Sequence, residues 1–204
     1  MRWRFDGWIA GLGTTSGTRI VLGHWPRSPL GPFSDVMAER PDGHRLLLAP
    51  SGEVAAFVGA TYRFDEVRTV PVRVTTGVEW RVDAGPLRLS FRPGRRGPLG
   101  LLLRLVPPPL ARTPAWIAAI DHPARLVLPG VRTRGSAGNG RREWYGAQDL
   151  RPITRARATW AGTDLGGLAD VTPPVRFGFG SVPSRPALVR VTTTVSAGAG
   201  PVPA

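Results

Sequence analysis

The sequence of 204 residues lacks two reactive residue types: it contains no cysteine, and all 27 basic residues are arginine. Without cysteine there is no disulfide, thiolate nucleophile, iron–sulfur cluster or cysteine-ligated zinc. Without lysine there is no Schiff-base nucleophile, pyridoxal-phosphate anchor or P-loop lysine. These two absences exclude several classes of enzyme.

A long uninterrupted hydrophobic run is also missing. The longest apolar stretch, residues 99–120, contains Arg104, Arg112 and three consecutive prolines at 107–109, so it cannot cross a bilayer as one continuous helix. No apolar core follows residues 1–7, which argues against a signal peptide. We therefore expect a cytoplasmic protein without a transmembrane segment.

Glycine and proline are abundant, with 26 and 22 residues, whereas aromatic residues make up only 8%. Because both residues destabilise helices, this composition favours many short strands joined by turns. The formal net charge of +13 would attract nucleic acid, anionic membranes or acidic ligands. A GC-rich genome would also encode arginine in place of lysine, so the charge alone assigns no partner.

Three segments in the first half of the chain alternate apolar and polar side chains with a period of two, which is typical of half-buried strands. They are residues 70–75, 78–83 and 87–92, and short breaks containing glycine separate them. We predict that they form a three-stranded antiparallel meander.

Further strands are predicted on both sides of the meander. In residues 2–12 the apolar side chains occupy odd positions before Gly7 and even positions after it. A β-bulge at Gly7 would restore a single apolar face. The glycine run at 11–17 precedes a β-prone segment, which favours a hairpin over a dinucleotide-binding loop. The remaining strands are expected at 18–25, 33–39, 45–49, 175–179 and 187–195.

Helices are expected to be few and short. Ser51 is predicted to cap a helix that begins at Gly52, and two more are expected at 99–106 and 114–120. The segment 99–120 has two interpretations. We favour a lid packed over one end of the sheet, and the alternative is an amphipathic element on an anionic membrane surface.

These patterns together predict a mainly β fold, either an antiparallel barrel or two packed sheets, with about ten strands and two or three short helices. A single β-rich domain would span residues 1–195, and residues 196–204 would form a disordered tail.

The most suggestive stretch for function surrounds the glycine-rich loop at 135–140. Guanidinium groups bind phosphate or carboxylate through paired hydrogen bonds, and aromatic faces stack on rings. The alternative to a binding site is a solvent-exposed hairpin whose tryptophan fills the core. The predicted ligand-binding residues in this stretch are Arg132, Arg134, Arg141, Arg142, Trp144 and Tyr145.

The three histidines, His24, His44 and His122, share no metal-ligand spacing, and the sequence predicts no metal site and no cofactor. His24 lies beside Trp25 and is the histidine best placed to face a cavity. We therefore include His24 among the predicted ligand-binding residues.

Two parts of the sequence resemble uncharacterised proteins of GC-rich actinobacteria. The first is residues 3–23 together with the Ser-Pro-Leu-Gly-Pro-Phe segment at 28–33, and the second is residues 130–146. The likeness would span most of the chain. Because no activity is attached to that group, the resemblance implies no site residue.

The leading hypothesis is a β-rich protein that binds a small apolar or amphipathic anion in a barrel pocket. Nucleic-acid or polyanion binding is less favoured, because such proteins usually concentrate their charge on one face and the arginines here are spread from Arg2 to Arg190. A third hypothesis is a hydrolase or isomerase that uses His24 with a nearby carboxylate. The sequence leaves open whether the protein is an enzyme and whether it forms oligomers.

Overall fold

A computed structural model of the chain describes residues 2–111, 113, 115–117, 133–136, 140–178 and 182–196. The fold is mainly β, as the alternating patterns predict. The described strands are β1 (Arg2–Thr14), β2 (Arg19–Arg27), β3 (Phe33–Glu39), β4 (Arg45–Ala49), β5 (Glu66–Thr69), β6 (Val72–Thr75), β7 (Trp80–Ala84), β8 (Leu87–Pro93), β9 (Arg134–Ser136), β10 (Arg142–Trp160), β11 (Thr163–Asp164), β12 (Leu168–Ala169) and β13 (Ala187–Ser196). The described helices are α1 (Gly52–Gly59), α2 (Pro98–Leu105) and α3 (Pro108–Ala111).

All of the described strands belong to one mixed sheet. Its main path runs β5-β4-β3-β2-β1-β13-β10-β8-β7-β6, and the short strands β9, β11 and β12 pair beside this path. Neighbours are antiparallel except β4 and β5, which are parallel. The sheet has β5 and β6 as its edges and is not closed, so the predicted barrel is not confirmed.

The main core lies between the two halves of the sheet, which fold over so that their inner faces meet. Leu12 of β1 and Leu22 of β2 share this core with Val82, Leu89 and Phe91 of the opposite half. Strands β6, β7 and β8 form the predicted meander in antiparallel register. Burial of these apolar side chains is the main stabilising contribution to the fold.

The outer face of the first half is also buried, and this changes the interpretation of Gly7. Pairing of β1 with β13 runs without a break from Arg2 to Gly11, so odd and even residues keep opposite faces throughout. Phe5 lies in an outer cluster and Leu12 in the inner core. The register does shift against β2 between Asp6 and Trp8. The expectation of a single apolar face is therefore wrong, because the change of parity reflects a strand that is buried on both sides.

The longest strand, β10, is an element that the sequence patterns do not indicate. It pairs with β13 over its first half and with β8 over its second half, and so joins the two halves of the sheet. Its register shifts between Ala147 and Asp149 and again between Ile153 and Arg155. Each shift adds a residue that interrupts the alternation, and this hides the strand from a period-two search.

Two predicted helices are confirmed. Ser51 caps α1, and its Oγ accepts a hydrogen bond of 3.3 Å from the Val54 N–H. Helix α2 packs on β10 through Gly100, where an added methyl carbon would lie only 2.1 Å from the Leu150 carbonyl oxygen. Most of the third predicted helix, at 114–120, lies outside the described residues.

Helix α2 leaves three of its five leucines exposed. Gly100 is its buried residue, whereas Leu101, Leu102 and Leu105 are 56%, 60% and 79% exposed. The backbone contact at β10 agrees with a segment that packs on the sheet. Among the described residues, no helix has the length and apolar character needed to cross a membrane.

Two smaller predictions have different outcomes. The glycine run forms the β1–β2 hairpin, in which Gly17 takes a φ of +84° that glycine tolerates. By contrast, the strand predicted at 175–179 is wrong for its described residues, because 175–178 are not in a strand. Val175 and Phe177 alternate because they pack on the outer face beside Val21 and Val182.

Candidate functional site

A cavity lies on the outer face of the sheet, between strands β1, β2, β3, β10 and β13 on one side and helix α1 with the segments around Tyr62, Phe177 and Val182 on the other. The space between the atoms is about 730 Å³ including the open mouth, and the centre of a water molecule can occupy about 60 Å³ of it. That is room for a small organic molecule or for several waters. The wall is mainly apolar, with aromatic rings such as Phe5, Phe33 and Phe57.

A buried ion pair holds the cover segment at 171–178 on the sheet. Glu39 of β3 is completely buried and accepts hydrogen bonds from the Arg176 backbone N–H at 2.7 Å and from Arg176 Nε at 2.9 Å. Arg19 of β2 forms a second ion pair with the same carboxylate at 2.9 Å. A buried carboxylate with two guanidinium partners is well compensated, so this contact fixes one side of the cavity.

The most unusual polar group of the cavity is Glu143 on β10, which is buried and contacts both tyrosines of the chain. Tyr62 Oη lies 3.0 and 3.1 Å from the two carboxyl oxygens of Glu143, and Tyr145 Oη lies 3.2 Å from Oε2. The two phenol oxygens are 2.7 Å apart. The three groups therefore form a closed ring of hydrogen-bonding contacts, which we call the Glu–Tyr ring.

The number of hydrogen atoms determines the protonation state that suits the Glu–Tyr ring. One hydrogen bond between each pair of the three groups needs three hydrogens, and the two phenols supply only two. A protonated Glu143 carboxyl supplies the third, so the neutral acid allows a hydrogen bond in every pair and the carboxylate does not. Burial raises the pKa of Glu143 to about 7, although hydrogen bonds from Tyr62 and Tyr145 and the charge of Arg141 act in the opposite direction.

A second buried carboxyl, Asp35 of β3, lies elsewhere on the cavity wall. Its Oδ1 accepts a hydrogen bond of 3.1 Å from Trp25 Nε1, and burial raises its pKa to about 7. Glycine is required at position 23 of the neighbouring strand, because an added methyl carbon would lie 2.5 Å from both Asp35 Oδ1 and Trp25 Nε1. The sequence thus makes space for this carboxyl on an apolar wall.

Two polar atoms of the cavity wall have no hydrogen-bond partner among the described residues. They are Asp35 Oδ2 and Thr193 Oγ1, and both side chains are at least nine-tenths buried. An unpaired buried polar atom costs about 1–3 kcal/mol, so few such atoms are expected in a folded protein. Two on the wall of one cavity indicate where a polar group of a bound molecule would be accepted.

Arg141, another of the predicted site residues, lies next to the cavity but does not line it. Its guanidinium lies over the rings of Trp3 and Phe57 and donates to the Phe57 carbonyl at 3.0 Å and to Thr61 Oγ1 at 2.5 Å. Those hydrogen bonds are made to the last turn of α1 and to the residues that follow it. Arg141 therefore fixes the helix that covers the cavity. Its positive charge lowers the pKa of Glu143, although Arg141 itself does not line the cavity.

The other predicted residues of the loop do not form a common site. Tyr145 lines the cavity, whereas Trp144 is half-buried on the opposite face of β10. Arg134 and Arg142 are exposed. Arg132 lies outside the described residues, so its predicted role stays a prediction.

His24 lies on the inner face of the sheet, on the opposite side from the cavity. Its Nδ1 is 2.8 Å from Ser34 Oγ, and its ring packs edge-on against Trp80 at 5.6 Å. Burial lowers the pKa of His24, and the nearby charge of Arg190 lowers it further. These contacts place His24 at the border of the main core.

Sequence reasoning did not identify Asp35, Tyr62 or Glu143 as site residues. Acidic residues that are far apart in sequence give no pattern, and only the packing of the segment after α1 against β10 brings Tyr62 and Glu143 together. One signal was available. Glu143 and Tyr145 are two residues apart and therefore share a face of a strand. Tyr62 and Tyr145 are the two tyrosines of the sequence.

No protein-family model matches the chain, and none of the curated proteins does. The resemblance to actinobacterial proteins therefore stays a prediction. Within the part of the chain that the structure describes, no group of three or more histidine, aspartate or glutamate side chains is placed to hold a metal ion. The cavity geometry is accordingly the basis for any functional assignment.

Proposed function

We propose that the protein binds a small, mainly apolar and uncharged molecule in the cavity beneath α1. The supporting observation is an apolar cavity whose wall carries two unpaired buried polar atoms, Asp35 Oδ2 and Thr193 Oγ1. Aromatic and aliphatic side chains would bury the body of the ligand, and these two atoms would bind its hydroxyl, carbonyl or amine groups.

The charges around the cavity favour a neutral ligand over the anion expected from the sequence. The described lining contains no arginine, and its two acidic groups, Asp35 and Glu143, would repel a carboxylate or phosphate when ionised. Arg141 is engaged with α1 by hydrogen bonds to Phe57 and Thr61. An anionic group would therefore lose its hydration without gaining an opposite charge.

Two fluorescent probes with nearly identical bodies test this proposal. N-phenyl-1-naphthylamine is neutral, whereas 8-anilino-1-naphthalenesulfonate adds one sulfonate to the same framework. We expect the neutral probe to bind at least about tenfold more tightly, a difference of about 1.4 kcal/mol. Equal or tighter binding of the sulfonate would support the anionic ligand instead and overturn the proposal.

Paired variants on α1 distinguish the cavity from other apolar surfaces. Val58 is buried and lines the cavity, whereas Ala56 on the same helix is exposed. Val58→Phe fills the cavity and should weaken binding of the neutral probe by at least about tenfold. Ala56→Phe adds the same ring outside and should leave the affinity unchanged. If both variants bind the probe as tightly as the parent protein, the cavity is not the binding site.

A further inference from the structure

The outer face of the second half of the sheet is entirely polar. Leu89, Phe91 and Val82 point into the main core, so the alternate residues of β6, β7, β8 and the second half of β10 point outwards. The register of these strands places ten side chains on this surface, which we call the arginine face: Arg73, Thr75, Arg81, Asp83, Arg88, Ser90, Arg92, Arg155, Arg157 and Thr159.

The arginine face carries more positive charge than its own acidic groups neutralise. Arg88 pairs with Asp83 at 2.8 Å, and Arg81 pairs with the adjacent Glu79 at 2.9 Å. Six arginines against these two carboxylates leave a net charge of +4. The charge is therefore concentrated by the fold, although the sequence positions run from 73 to 157.

Two arginines of this surface face each other directly. Arg92 of β8 is the register partner of Arg155 of β10, and both are exposed. Neither forms an ion pair with any described residue, and the same is true of Arg157, which lies two residues further along β10. Like charges directly opposite each other on a sheet are destabilising. An anion bound between them would remove this repulsion.

The residue types on the arginine face select the kind of anion. Arginine and hydroxyl side chains are typical phosphate-binding groups of proteins that contact a nucleic-acid backbone. Binding of single strands relies on aromatic stacking, and binding to a membrane surface relies on inserted apolar side chains. The ten positions contain neither aromatic nor apolar residues.

We propose that the arginine face binds the phosphate backbone of duplex DNA without sequence specificity. Side chains on neighbouring strands lie about 5 Å apart and those at next-nearest positions along a strand about 7 Å apart, so several guanidinium groups can contact consecutive phosphates. This surface is separate from the cavity, since its strands β6, β7 and β8 do not line the cavity.

Fluorescence anisotropy with a short labelled duplex DNA at about 50 mM and about 200 mM salt tests the proposal. If all six arginines contact phosphates, the affinity should fall by about a thousandfold between these conditions. The triple variant Arg92→Gln, Arg155→Gln, Arg157→Gln should reduce the slope of log Kd against log salt by about 3. It should remain folded, because removal of the opposed arginines relieves repulsion.

A matched control removes the same charge elsewhere. Arg2, Arg27 and Arg63 are exposed and lie outside the arginine face. The triple variant Arg2→Gln, Arg27→Gln, Arg63→Gln should change the salt slope by less than about 1. The proposal is overturned if the parent protein shows no salt-sensitive binding, or if both triple variants lose the same affinity.

Competition identifies the class of polyanion. Single-stranded DNA of the same length and vesicles that contain phosphatidylglycerol are each titrated against the labelled duplex. The proposal predicts that duplex DNA is the strongest competitor at equal phosphate concentration. Stronger competition by the single strand or by the vesicles would contradict the assignment to duplex DNA.

Discussion

At the scale of single residues, the Glu–Tyr ring is the feature with the clearest physical consequence. With a neutral Glu143 each of the three pairs of groups can form a hydrogen bond, and ionisation leaves one pair without a hydrogen. Burial raises the pKa of Glu143 to about 7, so the folded protein binds this proton more tightly than the unfolded chain does. Stability must then depend on pH, because a difference in pKa between two states is a difference in free energy.

The first prediction concerns the pH dependence of folding. Below pH 4.5 Glu143 is protonated in both states and has no effect. As the pH rises towards about 7, the unfolded chain loses this proton while the folded protein retains it, so stability falls. Urea unfolding at pH 5 and pH 8 should show a loss of about 2 kcal/mol from Glu143, with a similar loss from Asp35.

Glu143→Gln isolates the contribution of this one group. Glutamine is uncharged at every pH and can both donate and accept in the ring, so the variant should lose about 2 kcal/mol less than the parent protein between pH 5 and pH 8. Glu53→Gln, at an exposed position on α1, should keep the slope of the parent protein. A parent slope retained in Glu143→Gln would show that Glu143 is already ionised at pH 5.

At the scale of single elements, α2 shows how a glycine determines the position of a helix. The helix lies against the backbone of β10 at Gly100, and three of its five leucines lie on the exposed side. An apolar helix would ordinarily bury its leucines against the sheet. The position of α2 therefore depends on close backbone packing.

The second prediction tests this contact with a pair of glycines. A methyl group at Gly100 would clash with the Leu150 carbonyl oxygen, whereas one at Gly97 would meet no atom within 4 Å. Gly100→Ala should lower the free energy of unfolding by about 2 kcal/mol and speed tryptic cleavage after Arg104. Gly97→Ala only replaces the N-cap residue of α2 by a poorer one and should cost less than about 1 kcal/mol.

The outcome that contradicts this account is an equal response of the two variants. If Gly100→Ala and Gly97→Ala unfold at the same urea concentration and are cleaved after Arg104 at the same rate, then α2 is not held by the contact at Gly100. Circular dichroism would confirm that both variants keep the sheet, so that any difference belongs to the helix.

Local sequence patterns predicted the strands that bury one face or flank a marked turn, and the helix that has its own N-cap residue. The β6–β8 meander follows from alternation, the β3–β4 hairpin follows from the Pro-Asp-Gly turn at 41–43, and α1 follows from Ser51. Alternation failed for β1, which is buried on both faces, and for β10, where two register shifts interrupt it. Which face a residue occupies there depends on partners that are distant in sequence.

At the scale of the whole molecule, the protein is one open sheet with a different role on each part of its surface. The inner faces of the two halves form the main core, and the outer face of the first half carries the cavity. The outer face of the second half is the arginine face. Cavity binding and DNA binding are thus independent proposals, and each is tested with variants that leave the other surface intact.

The candidate site was less predictable than the fold, for a physical reason. Arginines near a glycine loop suggested an anion site, but a guanidinium can equally cap helix carbonyls and stack on rings, as Arg141 does. The groups that define the cavity, Asp35 and Glu143, are chemically significant only because burial changes their pKa. Burial on the outer face follows from the position of α1 and Phe177, which no local pattern indicates.

The most direct measurement of the central claim is the set of nuclear Overhauser contacts between bound N-phenyl-1-naphthylamine and the methyl groups of the protein. Binding in the cavity predicts contacts to Val21, Val58 and Val182, which line it. Contacts confined to Leu101, Leu102 and Leu105, the exposed leucines of α2, would show that the probe binds the surface instead and would contradict the proposed function.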